Sequence, residues 1–403
     1  MIKHLRERFN AHWTEAKYAE VKRRVAERSR TAIKVRICET PVFIPAGLMQ
    51  TMVNAGVELT QQLMESTEYL RASDAAIPDA YRVPGNEGRP QFLQVDFGLV
   101  RSPDGKLEPK LVELQGFPSV YGYQPLLAEA YAEVFELRHE VYLGGFDATS
   151  YWETMQRVIV ADHDPEHVVL LEVEPEKQKT AMDFRVHEDR LGIRTVDLAK
   201  VRKTGRRLEY EFEGRWIPIK RIYNRAIVDE IVRKRIVTGF DYRDDLDVEW
   251  AGHPNWYFRI SKFSLPWLKH ATVPTAIFLD AWFRGEGRER LPEDRESWVL
   301  KPLYSFAGKG IVFAPDDATL ASIPQTERKD WLLQEKVIFE PVIETPEGPT
   351  QAEIRVMYLW PEEGSLAPVM NLVRMGRGRM MGVDHNRDQK WVGGSAGLIA
   401  HDA

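Results

Sequence analysis

Residues 91–116 read QFLQVDFGLVRSPDGKLEPKLVELQG, and this stretch decides the fold class. QFLQVDFGLV (91–100) predicts one strand. Ser102-Pro103-Asp104-Gly105 begins a connection, and PKLVELQG (109–116) predicts a second, antiparallel strand. Period two then sorts the side chains. In the first strand Leu93, Val95, Phe97 and Leu99 share one face, and Gln94 and Asp96 the other. In the second, Val112 and Leu114 share one face, and Leu111, Glu113 and Gln115 the other. Pairing the strands lets Asp96 face Glu113 and Gln115. Two carboxylates and an amide oxygen are hard ligands, suited to a Mg²⁺ that also keeps waters and substrate phosphates. The plain alternative is the solvated polar face of an edge hairpin, because alternation is the norm for half-buried strands.

Outward from the hairpin, residues 1–35 predict helices with a Lys/Arg-rich outer face. The longest uncharged run, 40–57, contains Pro41, Pro45, Gly47, Gln50 and Asn54. It suits buried core feeding a helix near 48–69 better than a membrane span. YQPLLAEAYAEVFELR predicts an amphipathic helix within 117–140. Residues 165–225 then predict strand, helix ending at Gly192, and strand, followed by a hairpin turning at Glu213-Gly214, a small α/β layer. Residues 298–400 predict successive strands: WVLKP, GIVFAP, WLLQEKVI, AEIRVMYLW and APVMNLVR. The chain is therefore expected to be α+β, with antiparallel sheets and one α/β insert. The expected divisions are 1–90 (helical), 91–164 (first core part with the acidic hairpin), 165–240 (inserted α/β domain) and 241–403 (remaining core and lid).

Further groups can carry chemistry. WVLKPLYSFAGKGIVFAP places Ser305, Gly308, Lys309 and Gly310 in a loop between strands. There, small residues let backbone N–H groups approach an anion, and Lys301 and Lys309 add positive charge. The loop is neither a Walker A nor a dinucleotide fingerprint, since a strand follows it; an ordinary hairpin connection is the competing explanation. Gln334, Glu335 and Lys336 interrupt an apolar strand, which could offer backbone groups to a base edge and a carboxylate to an amine or hydroxyl; an ordinary half-exposed strand is the plain alternative. Arg374, Arg377 and Arg379, with Lys390 and a Gly393-Gly394-Ser395-Ala396 stretch, could grip carboxylate or phosphate, or could form a basic surface loop. Arg225 ends the last strand of the insert, at a position where α/β layers often bind ligands.

The order of these pieces resembles the circularly permuted ATP-grasp ligases, above all eukaryotic-type glutathione synthetases and more distantly glutathionylspermidine synthetases. VDFGLVRSPDGKLEPKLVELQG is similar to the family's Asp strand, turn and Glu-x-Asn strand. SWVLKPLYSFAGKG is similar to its Lys-Pro strand and glycine loop, LLQEKV to its adenine strap, and WVGGSAGLIAHD to its closing segment. The resemblance spans about 90–402. It implies Asp96, Glu113 and Gln115 for Mg²⁺, and Lys262, Lys301 and the loop with Ser305, Gly308, Lys309 and Gly310 for ATP phosphates. It implies Gln334, Glu335, Lys336 and Val337 along adenine, and Glu353 at the ribose. Arg225 and Arg374 or Arg377 fall at the acyl phosphate or substrate carboxylates; Gln94, Ser119, Gly393, Gly394, Ser395 and Ala396 fall at the substrate. Three positions depart from the pattern: Gln94 replaces a frequent Arg, Gln115 replaces Asn, and Ser305 replaces an acidic ligand.

The implied activity is an ADP-forming carboxylate–amine ligation through an acyl phosphate, with ATP and Mg²⁺ as cofactors and small acids and amines as partners. A small-molecule kinase, or an ATP-binding regulatory protein with failed catalysis, are the competing expectations. Composition agrees with a globular chain: 403 residues suggest two or three domains, and 43% apolar and 29% charged residues exclude disorder. A net charge of −6 and scattered aromatics argue against nucleic acid and anionic membranes. The single Cys38 excludes an intramolecular disulfide or a cysteine zinc site and fits a reducing compartment. No GxSxG, HExxH or histidine cluster is present. A cytoplasmic protein, with a homodimer implied by the resemblance, completes the expectation.

Overall fold

The structure, a computed structural model, describes residues 1–403 except 306–307, 379–380, 382–387 and 402–403. The quoted stretch folds as expected into strands Phe92–Arg101 and Leu107–Gln115. They form one side of a five-stranded antiparallel sheet, continued by Gln351–Leu359, Ala367–Gly376 and Gly393–Ser395. One detail of the alternation is corrected. The register runs Val95 to Leu114 and Asp96 to Glu113, then slips so that Phe97 meets Leu111. This β-bulge at Val112 turns Leu111 onto the core face beside Leu114, away from Glu113. The slip keeps Glu113 opposite Asp96 while burying both leucines. The core face packs against helix Ala46–Glu65 through Met49, Met52 and Leu59.

A second antiparallel sheet carries Trp331–Glu335 between Ala276–Phe278 and Trp298–Pro302, with Val312–Phe313 outermost. A third, wholly parallel sheet contains Glu249–Ala251, Arg221–Asn224, Val168–Glu172 and Arg194–Asp197. Helix Ala181–Leu191 crosses between its strands and stops at Gly192, which takes the left-handed φ of 72°. The hairpin of Arg207–Phe212 and Arg215–Ile219 turns at Glu213 and Gly214, both at positive φ as a tight two-residue turn requires. It does not run on to 225 as expected: the chain changes sheets at Lys220, and Arg221–Asn224 joins the parallel sheet.

Helices Lys3–His12 and Glu15–Arg28 occupy the N-terminal segment. Strand Val42–Pro45, unforeseen within the uncharged run, pairs in parallel with Gly397–Ala400 and so joins the two ends of the chain. Helix Ala148–Ile159, also unforeseen, starts from a reciprocal Asp147/Ser150 capping box. The result is a mixed α+β fold with several antiparallel sheets. Among the described residues no helix is long and apolar enough to cross a membrane.

Candidate anion-receiving site between two sheets

The polar face of the five-stranded sheet holds an ion network centred on Asp96, which is 1% exposed. Arg355, on the next strand and opposite Asp96 in register, donates from Nε to Oδ1 at 2.5 Å and from Nη2 to Oδ2 at 2.6 Å. This is a bidentate fork. A third N–H of Arg355 donates to Gln94 Oε1 at 2.7 Å, and Gln94 Nε2 donates to the carbonyl of Ser119 at 2.7 Å. Arg374 Nη1 reaches Asp96 Oδ2 at 3.4 Å and also binds Glu353. Burial raises the Glu353 carboxyl, and Arg374 opposes that rise. Two guanidiniums thus balance two carboxylates.

Glu113 faces a different neighbourhood. Gln115 Nε2 donates to Glu113 Oε1, and Lys262 Nζ stands 3.4 Å from Oε2. Gly116 makes this possible. Its N–H bonds the Ile260 carbonyl at 2.9 Å, and a Cβ there would meet the Trp256 carbonyl at 2.7 Å. The segment carrying Lys262 is therefore drawn tightly over the end of the hairpin. Burial opposes the Glu113 charge, yet Lys262, Arg355, Lys301 and Arg374 together hold the carboxyl down at about 2. Lys262 also donates to the carbonyl of Ser305 at 2.9 Å. A cavity of about 20 Å³ lies here, lined by Glu113, Gln115, Lys262 and Ser305 among others, with the Ser305 hydroxyl buried and unbonded.

Lys301 approaches from the second sheet. It is buried and makes no hydrogen bond or ion pair among the described residues. Burial pushes its ammonium down to about 8; Glu113 and Glu353 pull it up, and Lys262 pushes it down. Four cations (Lys262, Lys301, Arg355 and Arg374) thus meet three carboxylates (Asp96, Glu113 and Glu353). The surplus positive charge lies on the lysine side, because the Arg355–Asp96–Arg374–Glu353 set is internally balanced.

Gln334 is 1% exposed, and among the described residues neither its Oε1 nor its Nε2 has a partner. Glu335 accepts from the Thr275 N–H at 3.3 Å, and Lys336 Nζ donates to the Glu296 carbonyl at 2.6 Å. Beyond them the chain crosses to the first sheet. Glu340 N–H bonds the Leu99 carbonyl at 2.8 Å, and Val337 and Phe339 lie where a Cβ on Gly98 would stand. Gly98 is the register partner of Glu353. This crossing brings Val337 and Phe339 against Gly98, next to Glu353 in register, and joins the two sheets.

Other candidates stand elsewhere or behave differently. Arg225, at the end of the parallel sheet, is buried with Nε and Nη1 unbonded, its guanidinium 5.4 Å from the Phe117 ring and 5.5 Å from Phe184. Phe117 also lines the small cavity, so Arg225 stands behind its wall. Arg377 binds the Thr345 hydroxyl, the Gly348 carbonyl and the Lys390 carbonyl, so it braces a turn rather than joining Arg374. Gly393, Gly394 and Ser395 form a strand, and Ser395 and Ala396 are fully buried. Residues 36–40 clamp that strand: Cys38 N–H bonds the Gly394 carbonyl at 2.8 Å, Gly394 N–H the Arg36 carbonyl at 2.9 Å, and Ser395 Oγ the Thr40 carbonyl at 2.5 Å. It is built in, not a loop free to fold over a substrate. Lys309 and Gly310 are exposed and Gly308 is half-buried, while 306–307 of their loop and Arg379 lie outside the described residues.

Arg355 is the member of this network that the sequence reading missed. Its signal was present: Arg355 follows Glu353 by two residues on an apolar strand, so both leave the same face. It also supplies, from the adjacent strand, a cation next to Gln94. Asp96 is held by this cation through both oxygens, which leaves Glu113 and Gln115 as the hairpin members lining the cavity. Among the described residues no group of three or more His, Cys, Asp or Glu is arranged to hold a metal ion.

A balanced ion network thus stands beside one surplus buried positive charge between two antiparallel sheets. The comparisons agree with the fold. The chain is similar in structure to a glutathione synthetase-like effector from Globodera pallida, solved in its apo form. The TM-score is 0.59 over 96% of each chain, at 13% sequence identity. No family model and no curated protein matches the sequence.

Proposed function

We propose that this chain is an ATP-dependent, ADP-forming carboxylate–amine ligase of the permuted ATP-grasp type. The observation that carries the proposal is Lys301, a buried cation without a direct partner, set beside Lys262 over Glu113. A buried ammonium held only by attraction from Glu113 and Glu353 across space is costly, and an incoming polyanion relieves that cost. The residues present fit such a group: surplus positive charge for phosphates, an unbonded Ser305 hydroxyl, and an unbonded Gln334 amide on the segment implied to run along the base.

In this reading Lys262 and Lys301 hold the phosphates. Glu113 and Gln115 would hold Mg²⁺ arriving with the nucleotide, since Asp96 is engaged by Arg355. Glu353 stands at the ribose. ATP with Mg²⁺ supplies the phosphoryl group that activates a carboxylate for attack by an amine. Positive side chains disperse charge as it spreads over the phosphoryl oxygens. Arg374 and Arg225 orient the carboxylate and stabilise charge developing at the acyl centre. No side-chain nucleophile is required, in keeping with Cys38 being buried, its thiol pushed up to about 12 by burial first and Glu39 second.

A screen crossing amino acids and dipeptides as acids against small amines tests this, with ADP release as readout. The expected result is ADP only where an acid and an amine are both present. ADP from a single hydroxyl acceptor would instead make the chain a kinase. One observation favours a second reading, an ATP-binding protein with impaired catalysis: both oxygens of Asp96 are taken by a guanidinium. Tight Mg·ATP binding without ADP from any pair decides for that reading.

A further inference from the structure

A buried amide with neither its donor nor its acceptor satisfied is rare in a folded protein and calls for an explanation. Gln334 is such a group. Its place in the second sheet is well defined: it pairs with Val299 on one side and Ala276 on the other, and Leu332, two residues back, pairs with Lys301. Partners in register share a face, and so do residues two apart. Gln334 and Lys301 therefore leave the same face of the sheet, one pleat repeat apart, about 7 Å along the strand. Leu332 and Ala276 belong to the core shared with the five-stranded sheet, whereas Leu333 belongs to the core behind. The unbonded amide thus points to the side on which Lys301 meets Glu113 and Glu353.

We propose that the Gln334 side chain is a base-reading group that selects a 6-aminopurine, its Oε1 accepting from the exocyclic N6–H and its Nε2 donating to N7. This rests on the ATP-binding reading and deepens it, because backbone groups along 334–337 would not require an amide at this position. An amide carries one acceptor and one donor side by side, which matches the paired donor and acceptor of an adenine edge. Two adjacent acceptors, as on the guanine O6/N7 edge, would leave Oε1 facing another acceptor. A site built around a buried hydrogen-bonding group rejects a ligand lacking the matching group more strongly than a purely apolar slot does.

The test is calorimetric titration of the full chain with Mg²⁺ and each of ATP, GTP and purine riboside 5′-triphosphate, which lacks the 6-amino group. Wild type is expected to favour ATP over both by about tenfold or more. Gln334→Leu, of similar shape, is expected to weaken ATP and bring the gap to purine riboside triphosphate within about twofold, with the apo melting temperature unchanged or higher. If the leucine variant fails to fold, Gln334→Met carries the same test. Equal affinity of wild type for ATP and purine riboside triphosphate overturns the proposal. So does a variant that melts lower and loses both nucleotides in parallel, which marks a structural amide. If wild type binds no nucleotide, the ATP-binding reading falls and this inference with it. If it binds ATP without base preference, only this inference falls.

Discussion

Two halves of one polar cluster follow opposite logic. On the sheet side, Arg355, Asp96, Arg374 and Glu353 bind one another and Gln94 adds a further acceptor, so each charge meets an opposite one within the protein. On the lysine side, Glu113 meets Lys262, but among the described residues Lys301 is buried with no direct partner and the Gln334 amide has no bond. The first half is a finished structural unit. The second leaves a cation and an amide without direct partners among the described residues, and under the proposed function a nucleotide completes it. Burial alone therefore does not separate scaffold from site; the presence or absence of partners does.

That contrast is easiest to break by removing its centre. Asp96→Ala leaves Arg355 without its bidentate acceptor and is expected to cost about 3–5 kcal/mol of stability, the range for breaking a buried ion pair. Chemical denaturation measures it; a loss below about 1 kcal/mol, the scale of an exposed pair, would mean that the network is not closed. Lys301→Met is expected to do the reverse, leaving stability unchanged or raising it by up to about 2 kcal/mol, because an unpaired buried charge is removed.

The third prediction concerns pH. The Lys301 ammonium lies at about 8 in the folded chain against an ordinary 10.5. Between those values the unfolded chain binds more protons at this site, so this group makes stability rise with pH. Over the same range the cation that receives phosphate is lost. Mg·ATP affinity should fall as pH passes through about 8 while the Lys301 contribution to stability increases, and the stability rise should be absent in Lys301→Met. A parallel fall of both quantities would contradict the assignment. The smallest effect belongs to Arg377→Ala. Because the Arg377 guanidinium binds the Thr345 hydroxyl and the Gly348 carbonyl on the 345–348 turn, nucleotide affinity should stay within about twofold of wild type.

The hairpin beneath this contrast was legible in the sequence, whereas the contrast itself was not, for physical reasons. The hairpin announced itself by alternation and a Pro-Asp-Gly connection, and Asp96 and Glu113 do face each other. The bulge at Val112 was hidden because both leucines beside it suit a core, so period two gives no warning of a slip. Arg355 was hidden because its role depends on a strand some 250 residues away, and pairing partners across such separations leave no local pattern. The same holds for Val42–Pro45 with Gly397–Ala400. The 393–396 glycines suggested freedom, yet the hydrogen bonds that fix them come from residues 36–40 at the far end of the chain.

The most direct measurement is titration of Mg·ATP into wild-type protein and Lys301→Met at neutral pH. The account predicts saturable one-to-one binding by wild type and a loss of about thirtyfold or more in the variant, the scale of a charge-assisted contact. No binding by wild type, or equal affinity in the two proteins, would contradict it.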